Sequence, residues 1–297
     1  YPIFAFALIF MALALMVCLF VKWPSLPELW DGLGNLGESK GLLSGQPIFP
    51  CLFITIACGA VSGFHATQSP MMARCLTDER LGRPVFYGAM ITEGIVALIW
   101  ATVSSWFFFD GGAAEVGATV SAAAPDVVVK VSKGWLGILG GILAILGVVA
   151  APITSGDTAF RSARLIVADF LHLNQKPIAN RLMISIPLFL IAGVLLWYNI
   201  ADENGFNVIW RYFGWANQTL AVFMLWTATA YLVKNRKGLT YLITMIPAAF
   251  MTAVCTTYIC VAKIGLGLPN SWNRAIGLST FVVSLVVFYA LYFRRKK

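Results

Sequence analysis

Three side chains with hydrogen-bonding chemistry, His65, Thr67 and Gln68, fall inside "SGFHATQSPMMARC", an interruption in an otherwise apolar run. Ser69 followed by Pro70 reads as an N-cap with proline at the first helical position, where its missing N–H and fixed φ cost nothing. The expectation is a helix broken over Ala60–Ser69 near the middle of the bilayer, with a second half starting at Pro70. Free N–H and C=O groups cannot face hydrocarbon, so such a stretch must line a protein-buried or hydrated cavity. The positive dipole end of a half-helix suits a carboxylate there, and unwound carbonyls suit a cation, as in transporter substrate sites. Ser62, Gly63, Phe64, His65, Thr67 and Gln68 are therefore candidate substrate-binding residues. The competing reading is a long loop between two short embedded helices, with His65 a satisfied core histidine.

A second constellation lies in "VVAAPITSGDTAFRSARLIVADF", Val148 to Phe170. Thr154 and Ser155 place two hydroxyls beside Pro152 and Gly156, where helix continuity is expected to be weak and carbonyls to be freed, and Asp157 adds an anion. Hard oxygen ligands of this sort suit a small cation. The alternative is an ordinary N-cap, Ser155 or Asp157 starting a cytoplasmic helix whose Arg161 and Arg164 face lipid headgroups. Glu93 is the one acidic residue deep within an expected span, which makes it a candidate proton carrier. The alternative for it is a neutral, hydrogen-bonded acid packed among helix neighbours. In "FNVIWRYFGWANQTLAV", Trp210, Arg211 and Trp215 suit an interfacial aromatic belt. Asn217 and Gln218 sit deeper, placed either to reach the cavity or to join helices.

The elements that must carry these residues are membrane helices. Of 297 residues 59% are hydrophobic and 11% charged, against about a quarter charged in soluble domains, and mean hydropathy is +0.81. Eight spans of roughly membrane-crossing length are expected: Pro2–Val21, Phe49–Met72 with the break, Val85–Phe109, Gly134–Ile153, Leu182–Ile200, Phe213–Val233, Leu239–Ala262 and Ala275–Phe293. Lys and Arg alternate between the connections, fourteen on one set against seven on the other. The positive-inside rule then places the C-terminus in the cytoplasm and runs the broken helix from outside to inside. The chain opens within an apolar run, without an initiating Met or a basic flank, and earlier spans are expected to be missing.

The net charge of +8 is spread between apolar spans rather than along one stripe, which argues against nucleic acid. Six cysteines form no CxxC pair and read as inert buried thiols. No GxSxG, HExxH or Walker A pattern occurs, and His65 and His172 are far apart, so the sequence does not suggest an enzyme.

"SGFHATQSPMMARC", "GRPVFYGAMITEGIVALIWA", "ITSGDTAFRSARLIVADF" and "FNVIWRYFGWANQTLAV" resemble the carbon starvation protein A family over most of Cys51–Val233. That resemblance implies an all-α, multi-pass transporter of the bacterial inner membrane, a single transmembrane domain over 1–297 with a LeuT-like inverted-repeat fold. Pro2–Val21 then corresponds to a fifth span, with four earlier ones absent. It also implies import of peptides or small carboxylates such as pyruvate, coupled to sodium or protons, with the lipid bilayer and substrate as partners and no organic cofactor. Ala151, Thr154 and Ser155 match the Ala-x-x-Thr-Ser spacing that holds sodium in coupled relatives, and Pro2–Val21 contains no lysine to stand in for that ion. Glu93, Asp157 and His65 keep a proton route open. A non-transporting subunit or nutrient sensor that retains the fold is the second reading.

Overall fold

The computed structural model describes residues 2–26, 47–56, 61–119, 124–202, 205–235 and 238–292, with the side chains at 148–151 and 154 outside that description. Every regular element among them is helical. Within apolar segments the helix is the one local structure that pairs each backbone group inside its own segment. In chain order the α-helices of eight or more residues are α1 (Pro2–Lys22), α2 (Ile48–Thr55), α3 (Phe64–Cys75), α4 (Ala89–Phe109), α5 (Ala124–Ala144), α6 (Ala151–Phe170), α7 (Ile178–Ala201), α8 (Gly205–Asn235), α9 (Leu242–Val261) and α10 (Asn273–Tyr292). A π-helical turn, Arg83–Gly88, leads into α4, and another, Ile145–Ala150, joins α5 to α6.

Among the described residues, six helical runs are long and apolar enough to cross a membrane: Ile3–Lys22, Glu79–Phe109, Ala124–Gly147, Ile178–Ala201, Leu242–Val261 and Asn270–Tyr292. The protein is a multi-pass membrane protein. Along α7, Phe189, Leu190, Leu195, Leu196 and Trp197 are all exposed, which suits a lipid-facing surface. Two of the eight expected spans are absent from the six. Phe49–Met72 is divided between α2 and α3, of 8 and 12 residues, each too short to cross alone. Phe213–Val233 lies within the 31-residue α8, whose hydropathy Asn217, Gln218 and several threonines dilute.

The expected span Gly134–Ile153 also needs correction. Gly137 stands at φ 63°, ψ −146°, a conformation essentially reserved for glycine, so the helix turns abruptly there. The turn sets Gly140 against the Ser132 carbonyl so closely that a Cβ would lie 1.9 Å from its oxygen. Beyond the π-helical turn, helix continues from Ala151 through Thr154 and Ser155, where the sequence suggests weakness. Pro152 falls just where the π-helical turn gives way to α6.

The described residues form two compact units. The first contains α1, α4, α5, α6 and residues 178–191 of α7. Its core gathers Met11 and Leu15 of α1, Val103 and Phe107 of α4, and Val127 and Val131 of α5. At one end Lys22 forms an ion pair with Glu115 and lies 5.6 Å from the ring centroid of Trp135 and 6.0 Å from that of Trp106. The second unit contains α2, α3, residues 192–201, α8, α9 and α10. Ile54, Val222, Met251, Val254 and Tyr258 form its core. Polar groups in this unit pair across helices: Trp215 Nε1 donates to the Cys255 carbonyl at 3.1 Å and Trp226 Nε1 to Thr252 Oγ1 at 3.0 Å.

Candidate functional site

Between α2 and α3 the helix is interrupted, and an interruption leaves carbonyls at one end and amides at the other without intrahelical partners. α2 closes on itself, with Ile56 N donating to the Leu52 carbonyl at 3.2 Å and Thr55 Oγ1 to the same carbonyl at 2.8 Å. Two consecutive residues of α8 satisfy groups on both sides of the gap. Gln218 Nε2 donates to the Phe53 carbonyl at 2.9 Å, and Asn217 Oδ1 accepts from the Phe64 amide at 2.9 Å. Both side chains are buried. Of the two roles open to them in the sequence, they perform the joining one directly, tying the two halves of one helix to a third. Gln218 Oε1 is buried beside this junction with no hydrogen-bond partner among the described residues.

The junction depends on close approach. A Cβ on Gly63 would lie 2.0 Å from the Asn217 carbonyl oxygen, 2.5 Å from Leu220 Cβ and 2.8 Å from the Ala221 amide nitrogen. Gly63 has φ −70°, so the demand is for space rather than for an unusual conformation. A further tie comes from Asn273 at the start of α10, whose Nδ2 donates to the Phe49 carbonyl at 3.3 Å. Phe49 is extended, at φ −94°, ψ 126°, so its carbonyl points out of the helical ladder. Asn273 gave no sign of this in the sequence beyond sitting shortly after Pro269.

The interruption is therefore real, but it is placed earlier than the Ser69-Pro70 pair suggests. Residues 61–63 are non-helical, Ala60 is outside the described residues, and Phe64–Cys75 is helical with Gly63 at its N-cap position. Pro70 lies inside α3, where it removes the amide that would have bonded the Ala66 carbonyl. The packing of Gly63 against α8 decides where α3 begins, and local capping preference does not. His65, Thr67 and Gln68 consequently sit in the first turns of the second half-helix, half-buried. Thr67 Oγ1 donates back to the Phe64 carbonyl at 2.8 Å, while Ser62 belongs to the short non-helical linker.

The second group of candidates lies in the first unit. Glu93 is half-buried in α4. Ser155 is exposed on α6, and Asp157 engages Arg161 at 3.0 Å in a half-exposed pair one turn apart. Neither Ser155 nor Asp157 is an N-cap, because α6 already starts at Ala151. The side chains of Ala151 and Thr154 lie outside the described residues, although both backbones are helical.

Comparison with known proteins adds the family. The family model for carbon starvation protein CstA matches residues 3–139 and 111–258. An uncharacterized protein of Haemophilus influenzae is 45% identical over 138 residues, which is 46% of this chain and 94% of that protein. The peptide transporter CstA of Campylobacter jejuni is 29% identical over 285 residues, covering 76% of this chain and 40% of the transporter. The pyruvate/proton symporter BtsT of Escherichia coli is 27% identical over 323 residues, covering 80% of this chain and 43% of the symporter. This chain thus spans less than half the length of either transporter. No solved structure matches. With its family model aligned to most of the sequence, the chain belongs to the carbon starvation protein CstA family.

Proposed function

We propose that the protein is an ion-coupled secondary transporter that imports peptides or small carboxylates such as pyruvate across the bacterial inner membrane, with its C-terminus in the cytoplasm. The observation that carries this reading is the interrupted helix whose two ends are held by Asn217 and Gln218. A scaffold has no need of such a break, whereas a transporter uses the half-helix dipoles it creates to hold solute and ion. The names of the relatives support the solute class. In this reading the chain contributes to one transmembrane domain with a LeuT-like inverted repeat. Ser62, Gly63, Phe64, His65, Thr67 and Gln68, bordered by Asn217 and Gln218, hold the substrate, and Ala151, Thr154, Ser155 and Asp157 or Glu93 hold the coupling ion, sodium or a proton. A sensor that keeps the fold is the second reading, and it predicts binding without translocation.

In this proposal His65 and Gln68 donate to the substrate carboxylate. Binding of labelled pyruvate and of a labelled dipeptide to the complete protein in nanodiscs is the test. His65→Ala and Gln68→Ala are each expected to weaken binding by about 1.5 to 3 kcal/mol, the scale of a hydrogen bond to a charged group. Unaltered affinity in both variants, with melting temperatures unchanged, would remove these residues from the site.

A further inference from the structure

The second unit contains a cavity of about 470 Å³ that the interrupted helix does not account for. Its walls come from the start of α2 (Pro50 and Cys51), the start of α8 (Arg211), the end of α9 (Tyr258) and the loop that follows (Lys263 to Asn270). We propose that this cavity is a receiving site for carboxylate anions, filled by a small carboxylate or by the C-terminal carboxylate of a short peptide before the solute moves on. The proposal deepens the carboxylate-import reading.

Charge is the first argument. Arg211 and Lys263 both line the cavity, and among the described residues no acidic one does. Among the described residues neither cation has an acidic partner. Both belong to connections that the charge bias assigns to the outside, where Lys and Arg are depleted. Residues 201–212 and 263–274 hold three cations together, Arg211, Lys263 and Arg274, and two of these meet at one cavity. An anion entering the cavity meets these two cations in a concave, partly apolar surround, which raises its local concentration.

Construction is the second argument. The loop after α9 is pinned by its own backbone, with Leu266 N donating to the Ile259 carbonyl and Leu268 N to the Cys260 carbonyl, each at 2.9 Å. Tyr212 Oη, on the residue after Arg211, donates to the Ile264 carbonyl at 2.6 Å and ties the start of α8 to the same loop. The walls are therefore set before a ligand arrives, and Arg211 and Lys263 spend no rearrangement of the backbone to face it. A guanidinium offers paired donors matched to a carboxylate, and an ammonium offers a point charge. The volume fits a metabolite or the end of a dipeptide.

Cys51 lines the cavity and supplies a reporter that does not require transport. The complete protein, retaining Cys51 as its one cysteine, is placed in nanodiscs and labelled with an anionic and a cationic methanethiosulfonate of similar size. With rates normalised to a free thiol, the anionic reagent is expected to react about tenfold faster than the cationic one, a preference that shrinks as salt is raised. Arg211→Gln with Lys263→Gln is expected to bring the ratio close to one. Both side chains are exposed, so the double variant is expected to melt as the parent does, and melting is measured alongside. Pyruvate and a free dipeptide are each expected to slow labelling, and a C-terminally amidated dipeptide is expected not to. Slowing by only one of the two carboxylates identifies which source the site accepts. An unreactive Cys51, a ratio near one in the parent, a ratio unchanged in the folded double variant, or labelling indifferent to both carboxylates would overturn the site. Because no step depends on uptake, a transporter lacking this site and a site without transport give different results.

Discussion

Gly63→Ala is expected to destabilise the protein by about 3 kcal/mol, at the upper end for forcing extra atoms into a packed site, and to lower uptake at least tenfold. The added methyl would fall 2.0 Å from the Asn217 carbonyl oxygen and 2.8 Å from the Ala221 amide nitrogen. Both are backbone atoms of α8, so no rotamer change relieves the overlap and the two helices must part. Parting them lengthens the bond from the Phe64 amide to Asn217 Oδ1 and the bond from Gln218 to Phe53, which hold the two half-helices. Gly193→Ala is the control: a Cβ there meets nothing within 4 Å, and alanine is the better helix former by about 1 kcal/mol. Thermal melting of the purified variants, read beside their initial uptake rates, checks the pair. A Gly63→Ala protein that melts and transports like the Gly193→Ala control would show that the close approach to α8 does not matter.

Replacing Thr154 and Ser155 together by alanine is expected to abolish sodium-driven accumulation while leaving exchange at equal concentrations partly intact. A coupling ion acts by stabilising one conformational state over another, so losing its ligands removes the drive without removing the pathway. Glu93→Gln is expected to leave a sodium-driven carrier's pH profile unchanged and to flatten that of a proton-driven one, because an amide does not titrate. Asp157 is the weaker candidate of the group, since its carboxylate already engages Arg161. Transport assays with sodium and pH gradients imposed separately check both variants. Accumulation that survives the double hydroxyl deletion but loses its pH response in Glu93→Gln would discard sodium and leave proton symport.

The helices and the interruption were legible because they follow from local chemistry: apolar length, glycine and proline placement, and the cost of unpaired backbone in hydrocarbon. The position of the interruption was not, because Ser69-Pro70 is as compatible with the interior of a bent helix as with its start. What selects between them is the contact of Gly63 with α8, across more than a hundred and fifty residues of sequence. Asn217 and Gln218 were recognisable as amides too deep for an aromatic belt, yet the assignment of one to each half-helix is a property of the packing. Nothing in the sequence around Gly137 marks a turn, and only its left-handed φ reveals one. Arg211 and Lys263, read as interfacial or topological charges, come from different connections and meet only through the fold.

Uptake of labelled pyruvate and labelled dipeptide into proteoliposomes containing the complete protein tests the proposed ion-coupled import of a carboxylate-bearing solute most directly. One of the two solutes is expected to accumulate above its external concentration when an inward sodium or proton gradient is imposed, and that accumulation is expected to collapse when the gradient is dissipated. Solute that binds the protein but enters no faster than into protein-free liposomes, under either gradient, would contradict it and leave a sensor or subunit with a transporter's fold.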